Sequence, residues 1–420
     1  MDIALISLLS LFLAIGLSQI SHLNVGVVSL CLAWIVGVYL GGLSIREIMS
    51  GFPVNLMMIL FGITLLFGQA QLNGTLDHLS GVAMGIARGH AALLPIIFFV
   101  LALAIATLGP GNIAAVALLA PVAMASAGRA GVSAFLMTIM VATGANAGAF
   151  SPFAPTGIVA NGLIDKQGLV MDPWSQIYLP SLLAQSSIAL IGYLGFGGIK
   201  LWLNDHASQQ PSAEVLPRKS FNRAQIATMI AIAALVIGVT IFKFDIGFFA
   251  MCLGVLIAVI GGTNQEEAIQ TIPWSTIFMV CGVSVLVGVL EQTGGMDLFT
   301  TILARISTRE NVTGMLAFVT GAISVYSSSS GVVMPAFIPA VPGLIEKLGG
   351  GDPVALVSAI NVGSHVVDVS PLSTLGALCI ANAAEHEDRD ILFRNLFIWG
   401  LAMSLVGAIV CYLFFGVLWR

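Results

Sequence analysis

The sequence predicts an all-α polytopic membrane protein. The predicted fold is two inverted-topology repeats, each of about five transmembrane helices plus one re-entrant hairpin, with broken helices at the midplane. Of the 420 residues 58% are hydrophobic and only 8% are charged, with a mean hydropathy of +1.02, whereas soluble domains carry about a quarter charged residues. Apolar stretches of about 20 residues, enough to cross a bilayer, recur along the chain. The glycines, prolines and polar residues between them recur after about 220 residues.

Taken in order, residues 2–20, 25–42 and 53–71 read as spans. The start, "MDIALISLLSLFLAIGL", has no basic region and no small-residue cleavage site, so it reads as the first span and not as a removed signal. "TLDHLSGVAMGIAR" (75–88) is amphipathic and suits the membrane surface. Residues 91–127 are apolar but split at "GPGN", which predicts a hairpin that turns back on itself. Residues 131–164 are split at "ANAGAFSPFAPTG", which predicts a broken helix, and a final span covers about 175–200. Residues 1–200 form the first repeat, 201–224 a polar linker, and 225–420 the second repeat, with its hairpin at about 312–345 and its broken helix at about 353–383.

The repeat rests on punctuation. "GGLSIREIMSGFP" (41–53) answers to "GGTNQEEAIQTIP" (261–273). Gly62, Gly68, Gly74 and Asp77 answer to Gly282, Gly288, Gly294 and Asp297, and Pro121 to Pro339. "GANAGAFSPFAPTG" (144–157) lies over "GSHVVDVSPLSTLG" (363–376). An odd number of crossings per half makes the second half enter from the opposite face, as in many secondary transporters. Placing the linker in the cytoplasm and both termini outside puts eight Lys/Arg on the linker side against seven, the direction the positive-inside rule favours.

Composition also excludes classes of function. The net charge of -5 comes without a basic stripe, so nucleic acid is not a partner. The five cysteines stand singly in apolar runs and read as packing residues. No HExxH and no GxSxG occurs, which leaves an intramembrane enzyme, like a channel, a distant alternative.

Non-helical backbone at membrane depth is tolerated only inside protein or beside an aqueous cavity. Four interruptions sit at matching places: "GPGN" with "SSSSG" (327–331), and "ANAGAFSPFAP" with "SHVVDVSPLST". With one hairpin entering from each face, they meet near the midplane and form a binding site. None contains Lys or Arg; the polar groups include Asn112, Asn146, Ser151, Thr156, Ser327 to Ser330, Ser364, His365, Asp368, Ser370, Ser373 and Thr374. Hydroxyls, amides and half-helix N-termini favour a carboxylate, while unwound carbonyls with Ser and Asn oxygens suit a small cation such as Na⁺. His365 and Asp368, spaced i, i+3, leave two readings open: a structural ion pair, or a cation ligand or proton acceptor in one half only. Ala149 stands where the second half has Asp368.

Gly111-Asn112-Ile113 before Pro121, and Ser329-Ser330-Gly331 before Pro339, resemble the Ser-Asn-Thr hairpin tips of the divalent anion/sodium symporters of the ion transporter superfamily. Ser151-Pro152 and Ser370-Pro371 stand where that family has Ser/Thr-Pro-Pro-Asn turns. Here Gly111 and Ile113 replace the Ser and Thr of the first tip, Ser330 and Gly331 replace the Asn and Thr of the second, and the Asn that ends each turn is missing. "GANAGAFSPFAPTG" is similar to the malonate and dicarboxylate carriers of the MatC type.

The resemblance implies an elevator-type homodimer in a bacterial inner membrane, moving a small dicarboxylate such as malonate, succinate or malate with Na⁺. H⁺ as the coupling ion and another organic or inorganic anion as substrate are the alternatives. By position it assigns Asn112, Ile113, Asn146, Ser151, Ser330, Gly331, Ser370 and Pro371 to the substrate. It assigns Gly109, Gly111, Asn112, Phe150, Ser327, Ser330 and Val369 to Na⁺, with His365 and Asp368 as coupling residues. No resident cofactor is implied.

Overall fold

Glycine placement decides how the helices cross. In the computed structural model, which describes residues 2–21, 23–75, 78, 91–205, 221–261, 263–325, 327–384 and 387–418, no strand occurs among the described residues. Six described helices are long and apolar enough to cross a membrane, and seven shorter apolar ones accompany them. The chain is an integral, multi-pass membrane protein.

The first half runs α1 (Ile3–Ser21), α2 (Val25–Leu40), α3 (Ile45–Ser50) and α4 (Val54–Leu72). After α4 come α5 (Leu93–Leu108), α6 (Gly111–Ala130), α7 (Ala134–Ala149), α8 (Pro155–Lys166) and α9 (Pro173–Gly195). A short helix, α10 (Gly198–Asp205), closes the half. The second half repeats the order with α11 (Arg223–Thr240), α12 (Ile246–Gly261), α13 (Gln265–Thr271), α14 (Trp274–Gln292) and α15 (Gly295–Ile306). It ends with α16 (Val312–Ser324), α17 (Ser329–Lys347), α18 (Pro353–His365), α19 (Thr374–Ala381) and α20 (Arg389–Val417). Apart from Thr75 and His78, the amphipathic segment expected at 75–88 lies outside the described residues, as does the linker over 206–220. The two ends of the expected linker are helical, in α10 and at the start of α11.

The matching polar stretches after α2 and α12 fold into two short capped helices. Ser44 and Glu47 form a reciprocal capping box on α3, and Asn264 caps α13. The Ser44 backbone N–H and hydroxyl, both donated to Glu47, hold its carboxyl below the usual carboxylate range.

The halves interlock through two reciprocal crossings. Helix α2 meets α14 where a Cβ on Gly282 would lie 2.1 Å from the Gly26 carbonyl oxygen. Helix α4 meets α12 where a Cβ on Gly62 would lie 2.0 Å from the Gly247 carbonyl oxygen. Small residues let the backbones touch, which is what drives helix association in lipid. Two side-chain bonds repeat the same reciprocity: Asn73 Nδ2 donates to Thr228 Oγ1 at 2.7 Å, and Thr293 Oγ1 donates to Ser7 Oγ at 2.8 Å. The hairpin helices lie against the broken helices in the same style, Gly144 of α7 on Phe99 of α5 and Gly363 of α18 on Ala317 of α16.

Candidate functional site

The turn of the first hairpin is two residues long. Helix α5 ends at Leu108, α6 begins at Gly111, and Gly109 takes φ 139° and Gly111 φ 81°, conformations that side chains with a Cβ rarely adopt. A Cβ at Gly109 would lie 1.9 Å from the Phe67 ring, and one at Gly111 2.9 Å from Pro155 Cδ, so the tip is held between α4 and the start of α8. Asn112, the first polar residue after the turn, accepts from Ile113 N at 2.9 Å and donates its amide to Asn146 Oδ1 at 2.8 Å. Asn146 is fully buried in α7 and donates in turn to the His365 carbonyl of the other half at 2.9 Å.

The second tip joins the same network from the opposite side. Helix α16 ends at Ser324 and α17 begins at Ser329, with the Ser328 hydroxyl accepting from Gly331 N at 3.0 Å. Ser329 Oγ lies 2.7 Å from Asp368 Oδ1 and 2.9 Å from the Ser364 carbonyl, and it also bonds the Ser324 hydroxyl. Asp368 is 8% exposed, and its backbone N–H donates at 3.2 Å to the same His365 carbonyl that Asn146 bonds. The result is a continuous chain from Asn112 through Asn146 and the His365 carbonyl to Asp368 and Ser329.

His365 and Asp368 do not form the ion pair that their spacing allowed. Helix α18 ends at His365, and the two residues are joined by the Asp368 backbone N–H donating to the His365 carbonyl at 3.2 Å, while their side chains turn to different partners. His365 Nδ1 donates to the Asn361 carbonyl at 2.9 Å and lies 2.9 Å from Ser364 Oγ, while the Phe150 ring meets the imidazole edge-on at 4.8 Å.

The two Ser-Pro turns are built alike. Ser151 Oγ donates to the Thr107 carbonyl at 2.7 Å, fastening the turn to the first hairpin, and Thr107 Oγ1 lies 2.9 Å from Tyr178 Oη. Ser373 Oγ donates to the Ser370 carbonyl at 2.9 Å and also to that of Asp368, and it caps α19. A Cβ on Gly157 would lie 2.0 Å from the Ser151 carbonyl oxygen and 2.6 Å from that of Phe150. One on Gly376 would lie 2.2 Å from Ser370 O and 2.6 Å from Val369 O. The Phe150 and Val369 carbonyls accept no hydrogen bond among the described residues. Unpaired carbonyl oxygens of this kind are hard ligands for a cation. We expect Gly157→Ala to open this turn at a cost above the about 1–3 kcal/mol of ordinary overpacking, because the methyl meets backbone carbonyls, read as a lowered melting temperature. Gly195→Ala, where the added methyl would meet nothing within 4 Å, is expected to leave the temperature unchanged; equal shifts would show that the turn tolerates the methyl.

The structure brings Asn112, Asn146, the His365 carbonyl and the Asp368 backbone N–H into one network and fastens Ser151 beside it. Ile113 is exposed, at 44%. Gly331, Ser370 and Pro371 are buried nearby. Ser327 and Ser330 are half-buried and make no side-chain hydrogen bond among the described residues; it is Ser329, one residue earlier, that turns inward. Sequence reasoning therefore missed the central role of Ser329, together with Ser324, Asn361, Thr107 and Tyr178. A run of four serines carries no internal signal of which one points inward.

The crystal structure of the YdaH transporter of Alcanivorax borkumensis superposes with a TM-score of 0.58, covering 89% of this chain and 88% of that one at 15% identity. The chain has a transporter fold. Residues 1–149 match the family described as the dicarboxylate carrier protein MatC N-terminus. Two proteins described as uncharacterized transporters, from Mycobacterium tuberculosis and Mycobacterium bovis, are each 22% identical over 351 residues, 80% of this chain and 80% of theirs. These matches are to transporters, not to enzymes. In the transporter fold, the broken helices and hairpin tips are the elements that hold non-helical backbone inside the protein.

Proposed function

We propose that this chain is a secondary active symporter that carries a small dicarboxylate, such as malonate, succinate or malate, across the inner membrane with Na⁺. The carrying observation is the buried network in which both hairpin tips and both broken helices meet with Asp368 and without a lysine or arginine. A dianion entering beside a buried carboxylate meets like-charge repulsion in a medium of low dielectric. Co-bound cations relieve that repulsion, which makes symport the economical coupling. The hydroxyls, amides and N-terminal ends of α6, α8, α17 and α19 supply donors for the carboxylates. The carbonyls of Phe150 and Val369 supply oxygens for the cation. The match of residues 1–149 to the dicarboxylate carrier family supports the substrate class.

In this reading the first two spans of each half, α1 and α2 with α11 and α12, form the frame of each subunit of a homodimer, and the hairpins with the broken helices move as an elevator. Purified protein in liposomes, with labelled malonate, succinate or citrate and imposed gradients, tests it. Accumulation is expected with Na⁺ directed inward at equal pH. Accumulation indifferent to Na⁺ but driven by a pH gradient would overturn Na⁺ in favour of H⁺, the alternative that the carboxylate of Asp368 favours. Absence of dicarboxylate uptake under every gradient would overturn the substrate class.

A further inference from the structure

We infer that Asn146 is a positioning residue that couples the two hairpin tips, so that ligand held at one tip sets the geometry of the other. This inference rests on the transport reading above and adds to it a route between its two half-sites. Asn146 is fully buried, and its side chain joins two partners: Asn112 of the first tip and the His365 carbonyl of the second broken helix. It therefore holds the site together from behind rather than touching substrate. The Asp368 backbone N–H donates to the same His365 carbonyl, and its carboxylate is bonded to Ser329 of the second tip, which completes a path between two residues, Asn112 and Ser329, that share no bond. The path has no twin: the second half carries His365 where the first has Asn146, and the imidazole turns back onto its own helix at Asn361. Among the described residues, one side-chain amide thus carries the hydrogen-bonded cross-link between the halves at this depth.

Buried hydrogen-bond networks lose less than the sum of their parts when two members are removed together. A claim of coupling needs that non-additivity, not mere adjacency. The test is a double-variant cycle on purified protein, with melting temperature as the readout and no ligand present. Asn112→Ala and Ser329→Ala together are expected to lower the temperature by clearly less than the sum of their separate shifts. In an Asn146→Ala background, or in Asn146→Ser if the alanine variant does not fold, the same two shifts are expected to add. Additive shifts with Asn146 in place would overturn the coupling.

A second arm measures malonate affinity with and without Na⁺. Na⁺ is expected to tighten malonate binding about 5- to 150-fold in the native protein, the usual range of coupling between sites, and this ratio is expected to fall toward one in the Asn146 variant. A merely structural residue, or one that touches malonate, would weaken binding at both Na⁺ levels and keep the ratio, which overturns the proposal. Non-additive shifts with no effect of Na⁺ or malonate would uphold the coupling and overturn the transport reading. Additive shifts with Na⁺-dependent malonate binding would do the reverse.

Discussion

Gly282→Leu is expected to prevent assembly of the fold. The added Cβ would lie 2.1 Å from the Gly26 carbonyl oxygen and 2.5 Å from its carbonyl carbon, so it meets backbone and not the movable end of a side chain. Ordinary overpacking of a core costs about 1–3 kcal/mol because side chains can shift. Here α2 and α14 would have to separate, and the isobutyl group extends further than the Cβ already in conflict. Gly62→Leu is expected to do the same at the sister crossing, where the Cβ would lie 2.0 Å from Gly247 O. Size-exclusion chromatography of a fluorescent fusion checks this: both variants are expected to lose the monodisperse peak. Gly16→Leu, on α1 with nothing within 4 Å of the added Cβ, is expected to retain it. A monodisperse Gly282→Leu would show that the crossing can open.

Asn112→Ala is expected to reduce dicarboxylate uptake in liposomes to background while leaving the chromatographic profile intact. The substitution removes the donor to Asn146 Oδ1 and leaves that oxygen buried without its partner. An orphaned buried acceptor costs roughly 1–3 kcal/mol, which a chain with this much buried apolar surface withstands. Transport suffers more, because the same amide stands at the turn where proposed ligands bind, and a tip shifted by about 1 Å loses its alignment. Uptake at the native rate would reduce the tip to a structural turn.

Much of this architecture was legible because membrane helices are apolar almost everywhere, so whatever interrupts them carries information. "GPGN" foretold a hairpin turn, and the structure places it at Gly109 and Pro110. The paired polar stretches at 41–53 and 261–273 became capped helices α3 and α13 in equivalent places. Gly26 and Gly247, by contrast, gave no sign that they face the other half, since a glycine in an apolar run has many uses. The site was legible as a set of residue types and not as a set of bonds. Asn146 reaches a carbonyl 219 residues away, a contact that side-chain patterns cannot register because every residue has a carbonyl. The spacing of His365 and Asp368 allowed an ion pair that does not form, because the imidazole turns back to Asn361 and the carboxylate is taken by Ser329.

The crossing of α2 and α14 also sets a timetable for synthesis. Asn24, at the head of α2, donates to the Ser275 carbonyl at the head of α14, a residue 251 positions later in the chain. At roughly 5–20 residues per second, α2 leaves the ribosome on the order of 10–50 s before its partner exists. Throughout that interval the Gly26 face is open to lipid or to the insertion machinery, and the first half waits in the bilayer as an unclosed clasp. The halves thus do not mature in turn: neither is finished until the other has arrived.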